Sequence, residues 1–235
     1  MKIPFRLKTL LDRQPMFYLG LLRLQRRRHW SRQWVVERNT EIVIEGFPRS
    51  GNSFAYSAFK QSNPHVSRIA THVHMSAQIL MAARYGIPTM VLLREPVAAV
   101  CSMMALSTQI GDRSTFDREV TLTEIGRLLD FYSLFYRRVH TVHSSVVFAP
   151  FTQVTEDFGK VIASVNERYA KNFVCFNHDA TAVKAIFEEA PIHLGPRPDR
   201  NALKDDFMVI ANSPELKIHR QRAVDIYHIC NKQCP

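Results

Sequence analysis

At 235 residues, with 46% hydrophobic and 22% charged residues, the chain is long enough for one sizeable core and too apolar to be disordered throughout. Its net charge of +10 is uneven, because residues 1–40 hold ten Lys/Arg against two Asp/Glu and the remainder is close to neutral. The longest uncharged apolar stretch of that basic segment, Pro15–Leu22, is far too short to span a bilayer. The basic, apolar, small-residue order of a cleavable signal is missing as well, so a cytoplasmic protein is expected.

In chain order, Leu7, Leu10, Leu11, Tyr18, Leu21 and Leu22 recur at helical spacing, and Pro15 splits them into two short amphipathic pieces. Residues 1–40 therefore read as a basic, helical N-terminal extension on a single domain over 41–235. The extension has two readings: a surface for anionic lipid or a polyanionic acceptor, with peripheral membrane contact through residues 1–28, or a helix packed on its own domain. No recognition motif accompanies the charge, so no nucleic-acid partner is expected.

Strands are predicted at 41–46, 66–71, 88–93 and 145–151. Helices are predicted at 51–61, 76–84, 96–106, 122–139 and 156–169, with two or three more after Ala180. Strands alternating with helices need crossover connections. The predicted fold is α/β, three layers with a central, mostly parallel sheet, similar to the P-loop nucleotide hydrolases. Ligands of such sheets lie beyond the carboxyl ends of the strands, so the residues just after each strand carry the information.

After the first strand comes "GFPRSGNSF", residues 46–54. Gly46 and Gly51 have the G-x-x-x-x-G spacing of a phosphate-binding turn between a strand and a helix, where successive N–H groups and a helix N-terminus converge on one anion. Asn52 stands where a nucleotide triphosphatase carries its phosphate-reaching lysine, and a basic residue, Arg49, lies inside the loop instead. The stretch Phe47-Pro48-Arg49-Ser50-Gly51-Asn52-Ser53-Phe54 resembles the 5′-phosphosulfate loop of the sulfotransferases that use 3′-phosphoadenylyl sulfate: aromatic, Pro, basic, Ser, Gly, Thr or Asn, hydroxyl, aromatic. The resemblance implies that Arg49 contacts the bridging oxygen, that Ser50, Gly51, Asn52 and Ser53 hold the phosphosulfate, and that Phe54 lies near adenine.

After the third strand, "REPVAAVCS" resembles the 3′-phosphate site of the same family, an arginine ending a strand and a serine eight residues on. Arg94 and Ser102 have that spacing, and a guanidinium can grip a phosphate with two hydrogen bonds. After the second strand, Thr71-His72 is similar to the Thr-His of the cytosolic members, whose histidine is the general base; a neutral imidazole can take a hydroxyl's proton near pH 7. His74 competes for that role. The usual lysine before the pair is Ala70 here, and the usual proline after it is replaced by His74. The late loop "LGPRPDRNALK" loosely resembles the basic loop that closes on the 3′-phosphate, with Arg197 and Arg200 as candidates and Lys204 behind them, although the family's Arg-Lys-Gly is absent.

The resemblance implies in-line transfer of a sulfuryl group from 3′-phosphoadenylyl sulfate (PAPS) to an acceptor hydroxyl. His72 and Arg49 would be catalytic, adenosine 3′,5′-bisphosphate the second product, and no metal would be needed. The basic N-terminus tilts the acceptor toward a glycan or lipid. The alternatives are a phosphate-loop small-molecule kinase or NTPase, or an inactive member that binds nucleotide or polyanion. Cys101, Cys175, Cys230 and Cys234 form no C-x-x-C pair, so free thiols are the default; the close spacing of Cys230 and Cys234 leaves a metal or disulfide role open.

Overall fold

The computed structural model describes residues 14–25, 34–111, 117–189 and 198–235. Leu7, Leu10, Leu11 and Arg197 lie outside them. In chain order the elements are α1 (Pro15–Gln25), β1 (Ile42–Gly46), α2 (Asn52–Ser62), β2 (Ile69–Thr71), α3 (Ser76–Tyr85), β3 (Thr89–Leu93), α4 (Pro96–Gly111) and α5 (Arg118–His140). They continue with β4 (Val147–Pro150), α6 (Phe151–Glu156), α7 (Phe158–Tyr169), α8 (Ala180–Glu189), α9 (Pro198–Ala211) and α10 (Lys217–Asn231).

The strands pair all-parallel in the order β2-β1-β3-β4. Both faces are buried, which explains why the strands read as apolar runs rather than alternating ones. Val43, Ala70, Val91, Leu93 and Phe148 point to one core with α1, α3, α4, α5, α9 and α10. Their neighbours Ile42, Ile44, Ile69, Met90, Leu92, Val147 and Ala149 point to the other, with α2, α6, α7 and α8. The fold is α/β in three layers.

Since β1 is followed by β2 on one side and β3 lies on the other, the strand order reverses between β1 and β3. A crevice opens there at the carboxyl ends. α5 fixes both of its walls: Tyr132 Oη donates to Arg94 O and Tyr136 Oη to Leu92 O, each at 2.6 Å, while Phe47 N donates to Tyr136 Oη at 3.3 Å. Asp117 starts that helix by accepting from Val120 N at 3.0 Å, a side-chain cap of the ordinary kind.

Several boundaries differ from the sequence reading: α4 runs on to Gly111 and α5 starts at Arg118, and three further differences concern β2, β4 and the helix after it. β2 is three residues long because Ser67 N and Arg68 N turn away from the ladder to donate to Glu41 Oε2 at 3.0 and 2.9 Å. β4 ends at Pro150 and Phe151 opens a helix rather than closing the strand. The helix expected over 156–169 starts at Phe158, capped by the Asp157 side chain (φ −155°, ψ 67°), and a separate short helix ends just before it at Glu156.

Within α1, Tyr18, Leu19 and Leu22 are buried in the same core as α3, so this part of the basic segment packs on its own domain. Met16, Phe17 and Leu24 remain exposed. No helix among the described residues is long and apolar enough to cross a membrane. All four cysteines are free thiols.

At Gly46, the last residue of β1, the neighbouring strand leaves no room for a side chain. A Cβ there would sit 2.6 Å from Leu92 O and 2.9 Å from Leu92 Cβ, both fixed in the adjacent strand. Gly46→Ala is expected to cost about 1–3 kcal/mol through overpacking, and thermal unfolding should show it as a fall of roughly 2–4 °C per kcal/mol at this chain length.

Candidate functional site

The β1–α2 turn is held open by left-handed backbone at Arg49 (φ 69°) and Gly51 (φ 91°). Glycine takes that conformation freely; arginine takes it at a cost. Asn52 Nδ2 donates to Phe47 O at 3.0 Å and Ser50 N to the same carbonyl at 3.2 Å, so both brace the turn from inside. Ser50 is fully buried and its hydroxyl lies against Tyr136, so its side chain does not face the crevice. Gly51, Asn52 and Ser53 do.

The crevice is a cavity of about 730 Å³. Arg49, Arg94, Arg200 and Lys204 line it together with His72 and His74, and among the described residues no Asp or Glu does. The two motifs found separately in the sequence meet here: Arg94 Nη1 donates to Arg49 O at 2.8 Å, and Arg49 Nε donates to Ser102 Oγ at 3.2 Å. The Arg94 guanidinium also sits 4.1 Å over the Phe151 ring, a cation–π contact. Glu95, next in sequence, is turned away to cap α4 through Val97 N and Ala98 N at 3.0 and 2.6 Å.

Arg200 stands on the first turn of α9, buried, with Nε on Gln109 Oε1 at 2.8 Å. It reaches the cavity from a part of the chain far beyond Arg94. Burial, with the Arg200 and Arg94 charges next to it, pulls the Arg49 guanidinium down to about 10 from its ordinary 12.5. Burial lowers Arg94 too. Packing cations beside one another out of water costs stability. Arg49→Met should therefore leave the ligand-free melting temperature unchanged or raised by roughly 2–4 °C, about 1 kcal/mol at this chain length, while anion binding is lost; differential scanning calorimetry without and with ligand separates the two effects.

The β2–α3 loop carries both histidines in left-handed conformation, His72 at φ 54° and His74 at φ 55°. With Arg49 they make up three of the four non-glycine residues of positive φ among the described residues, and all three line the cavity. Strain of this kind persists only where surrounding contacts enforce it, and it collects at functional sites. His72 is enforced by two hydroxyls, Thr71 Oγ1 at 2.9 Å from Nδ1 and Ser53 Oγ at 3.2 Å from Nε2. Its ring packs 5.1 Å from Trp34 and 6.2 Å from Tyr56.

His74 is enforced by a residue the sequence reading passed over, Glu45. That carboxylate is fully buried inside β1. Gly46 N and Val73 N donate to it at 3.1 and 2.8 Å, Gln78 Nε2 at 3.1 Å, and His74 Nδ1 lies 3.2 Å from Oε1. Burial pushes the carboxyl up; the His74 charge and hydrogen bond, the His72 charge and the Val73 N–H outweigh it and hold it below the ordinary 4.5. The same network ties in the N-terminal segment, since Gln78 Nε2 also donates to Trp34 O and Gln78 Oε1 accepts from Val36 N. A charged residue in a strand with both faces covered was the available signal for Glu45.

Phe54 lines the cavity but is almost wholly enclosed by Phe158, Phe176, His178 and Phe187. Phe187, 37% exposed and 6.0 Å from Phe54, offers the larger free aromatic surface, and Val183 one turn before it lines the same wall. Neither was among the expected site residues. Among the described residues no group of three or more His, Cys, Asp or Glu could hold a metal ion.

Fold and site define a parallel α/β protein with a glycine-bearing turn and a cluster of cations at the point where strand order reverses. Searches among family models, curated proteins and solved structures found no match to this chain.

Proposed function

We propose that the protein is a sulfotransferase that moves a sulfuryl group from PAPS to an acceptor hydroxyl. The observation that carries the reading is the cavity at the β1/β3 crevice: among the described residues three arginines and a lysine line it without a carboxylate, and Arg49 and Arg94 come from the two segments that resemble a phosphosulfate loop and a 3′-phosphate site. A ligand with anionic groups at both ends, as this donor has, suits such a cluster better than a single phosphate does. Asn52 in place of lysine speaks against a triphosphatase.

In this reading the nucleotide's 3′-phosphate takes the Arg94 guanidinium and the Ser102 hydroxyl, displacing the Arg49–Ser102 hydrogen bond. Arg49 is then released toward the bridging oxygen. The turn N–H groups before α2 face the phosphosulfate, Arg200 and Lys204 close the far side, and Phe187 with Val183 forms an apolar wall for the base. Catalysis rests on positioning and on stabilising charge that moves onto the leaving oxygen, while a histidine of the β2–α3 loop takes the acceptor's proton. A glycan or lipid acceptor suits the basic N-terminal segment and the exposed Met16, Phe17 and Leu24 of α1.

Isothermal titration of adenosine 3′,5′-bisphosphate, with ADP and 5′-AMP as controls, tests the donor site. Binding that depends on the 3′-phosphate supports the reading. Equal affinity for ADP would overturn it and return the turn to the generic phosphate binders.

A further inference from the structure

The sequence leaves two histidines competing for one proton, and the hydrogen bonds around them are not equivalent. His72 has a hydroxyl at each ring nitrogen, Thr71 Oγ1 at Nδ1 and Ser53 Oγ at Nε2. A hydroxyl can donate or accept, so neither tautomer of His72 is selected. His74 differs in kind. Its Nδ1 faces Glu45 Oε1 at 3.2 Å and Gly46 O at 2.9 Å, and both are acceptors only. Nδ1 must then carry the hydrogen, and in the neutral ring the basic lone pair is on Nε2.

The carboxylate that selects this tautomer is itself immobile. Gly46 N, Val73 N and Gln78 Nε2 hold both of its oxygens, and it has no exposed surface. His74 is partly exposed, with 27% of its side chain accessible, and it lines the cavity. A buried carboxylate orienting an imidazole whose other nitrogen is basic is the arrangement that makes a competent general base. The left-handed backbone is shared by His72 and His74, so it marks the loop as strained and the choice between the two rests on the hydrogen bonds.

Resting on the sulfotransferase reading, we infer that His74 is the general base of this site and that Glu45 is its positioning residue, with His72 bridging the donor turn to the β2–α3 loop. In the step, the acceptor O–H proton passes to His74 Nε2 and the acceptor oxygen forms the new bond to sulfur. The bond from sulfur to the bridging phosphate oxygen breaks, and its electron pair stays on the departing adenosine 3′,5′-bisphosphate beside Arg49. One proton, one sulfuryl group and one nucleotide account for the change.

The test uses the full chain labelled with ¹⁵N in its histidines, the His74 signals being assigned by their loss in His74→Asn. Long-range proton–nitrogen spectra should show neutral His74 as a single Nδ1–H tautomer with an unprotonated Nε2. An Nε2–H tautomer, or a mixture of the two, overturns the inference with no acceptor needed. Turnover is then followed with labelled PAPS against a phenol, a sterol and an amino sugar, and with water, read as inorganic sulfate, where none of these reacts. His74→Asn should lower kcat by about 10²–10⁴-fold with the donor KM unchanged, His72→Asn about tenfold, and Glu45→Gln should fall between them while shifting the His74 nitrogen signals. The reverse ranking of the two histidines overturns the inference.

Should His74→Asn fail to fold with Glu45 left unpaired, the double variant Glu45→Gln/His74→Asn removes the buried charge and is expected to show the same loss of kcat. Adenosine 3′,5′-bisphosphate should bind all these variants as it binds the wild type. Failure of the wild type to bind it counts against the sulfotransferase reading and leaves the tautomer of His74 as a separate result.

Discussion

Arg94→Ala is expected to lower the affinity for adenosine 3′,5′-bisphosphate by about 10²–10³-fold while leaving ADP binding nearly unchanged. A hydrogen bond to a charged group contributes about 1.5–3 kcal/mol, and a guanidinium gripping one phosphate makes two; because Ser102 and the other cations still hold that phosphate, the loss falls in the lower part of that sum, about 3–4 kcal/mol. The comparison with ADP separates two roles that Arg94 has in the ligand-free protein. Its Nη1 holds Arg49 O, at the centre of the β1–α2 turn. If Arg94 were only a brace for that turn, its removal would weaken both nucleotides equally, since both place a phosphate against the turn. A loss confined to the nucleotide with a 3′-phosphate identifies Arg94 as the group that reads it. Arg94→Lys keeps the charge but loses the planar fork and the stacking over Phe151, and should fall between wild type and alanine.

The same pair of residues shows what the sequence could and could not convey. Arg49 and Arg94 were legible because each sits just after a strand, where backbone direction leaves a side chain little choice about which end of the sheet it serves, and Ser102 because it follows Arg94 by eight residues on the next helix. Their mutual contact was not legible: that Ser102 would bond Arg49 rather than stand apart from it depends on the packing of α4 against the turn. Arg200 and Lys204 were visible as a basic loop and helix start, yet the convergence of α9 on the crevice is a tertiary event with no local signature. Ser50 fits the motif letter by letter and still turns inward, because Tyr136 from α5 lies beneath it. The alternation of apolar runs and amphipathic stretches was enough for the α/β class. The short β2 and the break at Asp157 depended on single side-chain contacts, from Glu41 and from Asp157 itself. Phe187 and Val183 were missed since a helical apolar stripe most often marks core, and nothing in α8 sets its rim apart.

Glu45 was the largest omission, and its removal should have the largest effect on stability. Glu45→Ala is expected to cost about 3–5 kcal/mol, because it strands the Gly46 and Val73 N–H groups and the Gln78 amide and takes the counter-charge from His74. At roughly 2–4 °C per kcal/mol the melting temperature should drop by about 6–20 °C. Glu45→Gln keeps one acceptor oxygen but points an NH₂ group at donors, so its cost should be smaller, about half. The pH dependence identifies the carboxylate as the cause. Its folded-state pKa lies below the ordinary 4.5, so the folded form binds this proton less readily than the unfolded chain does. The stabilisation is then fully present above pH 4.5 and is lost as pH falls through the lower folded value. Urea unfolding of wild type and Glu45→Gln should give a stability difference that shrinks as pH falls below about 4.5. A difference that holds steady to about pH 3 would mean that the cost of the substitution is packing, and that the charge on Glu45 contributes nothing to holding the His72–His74 loop in its left-handed conformation.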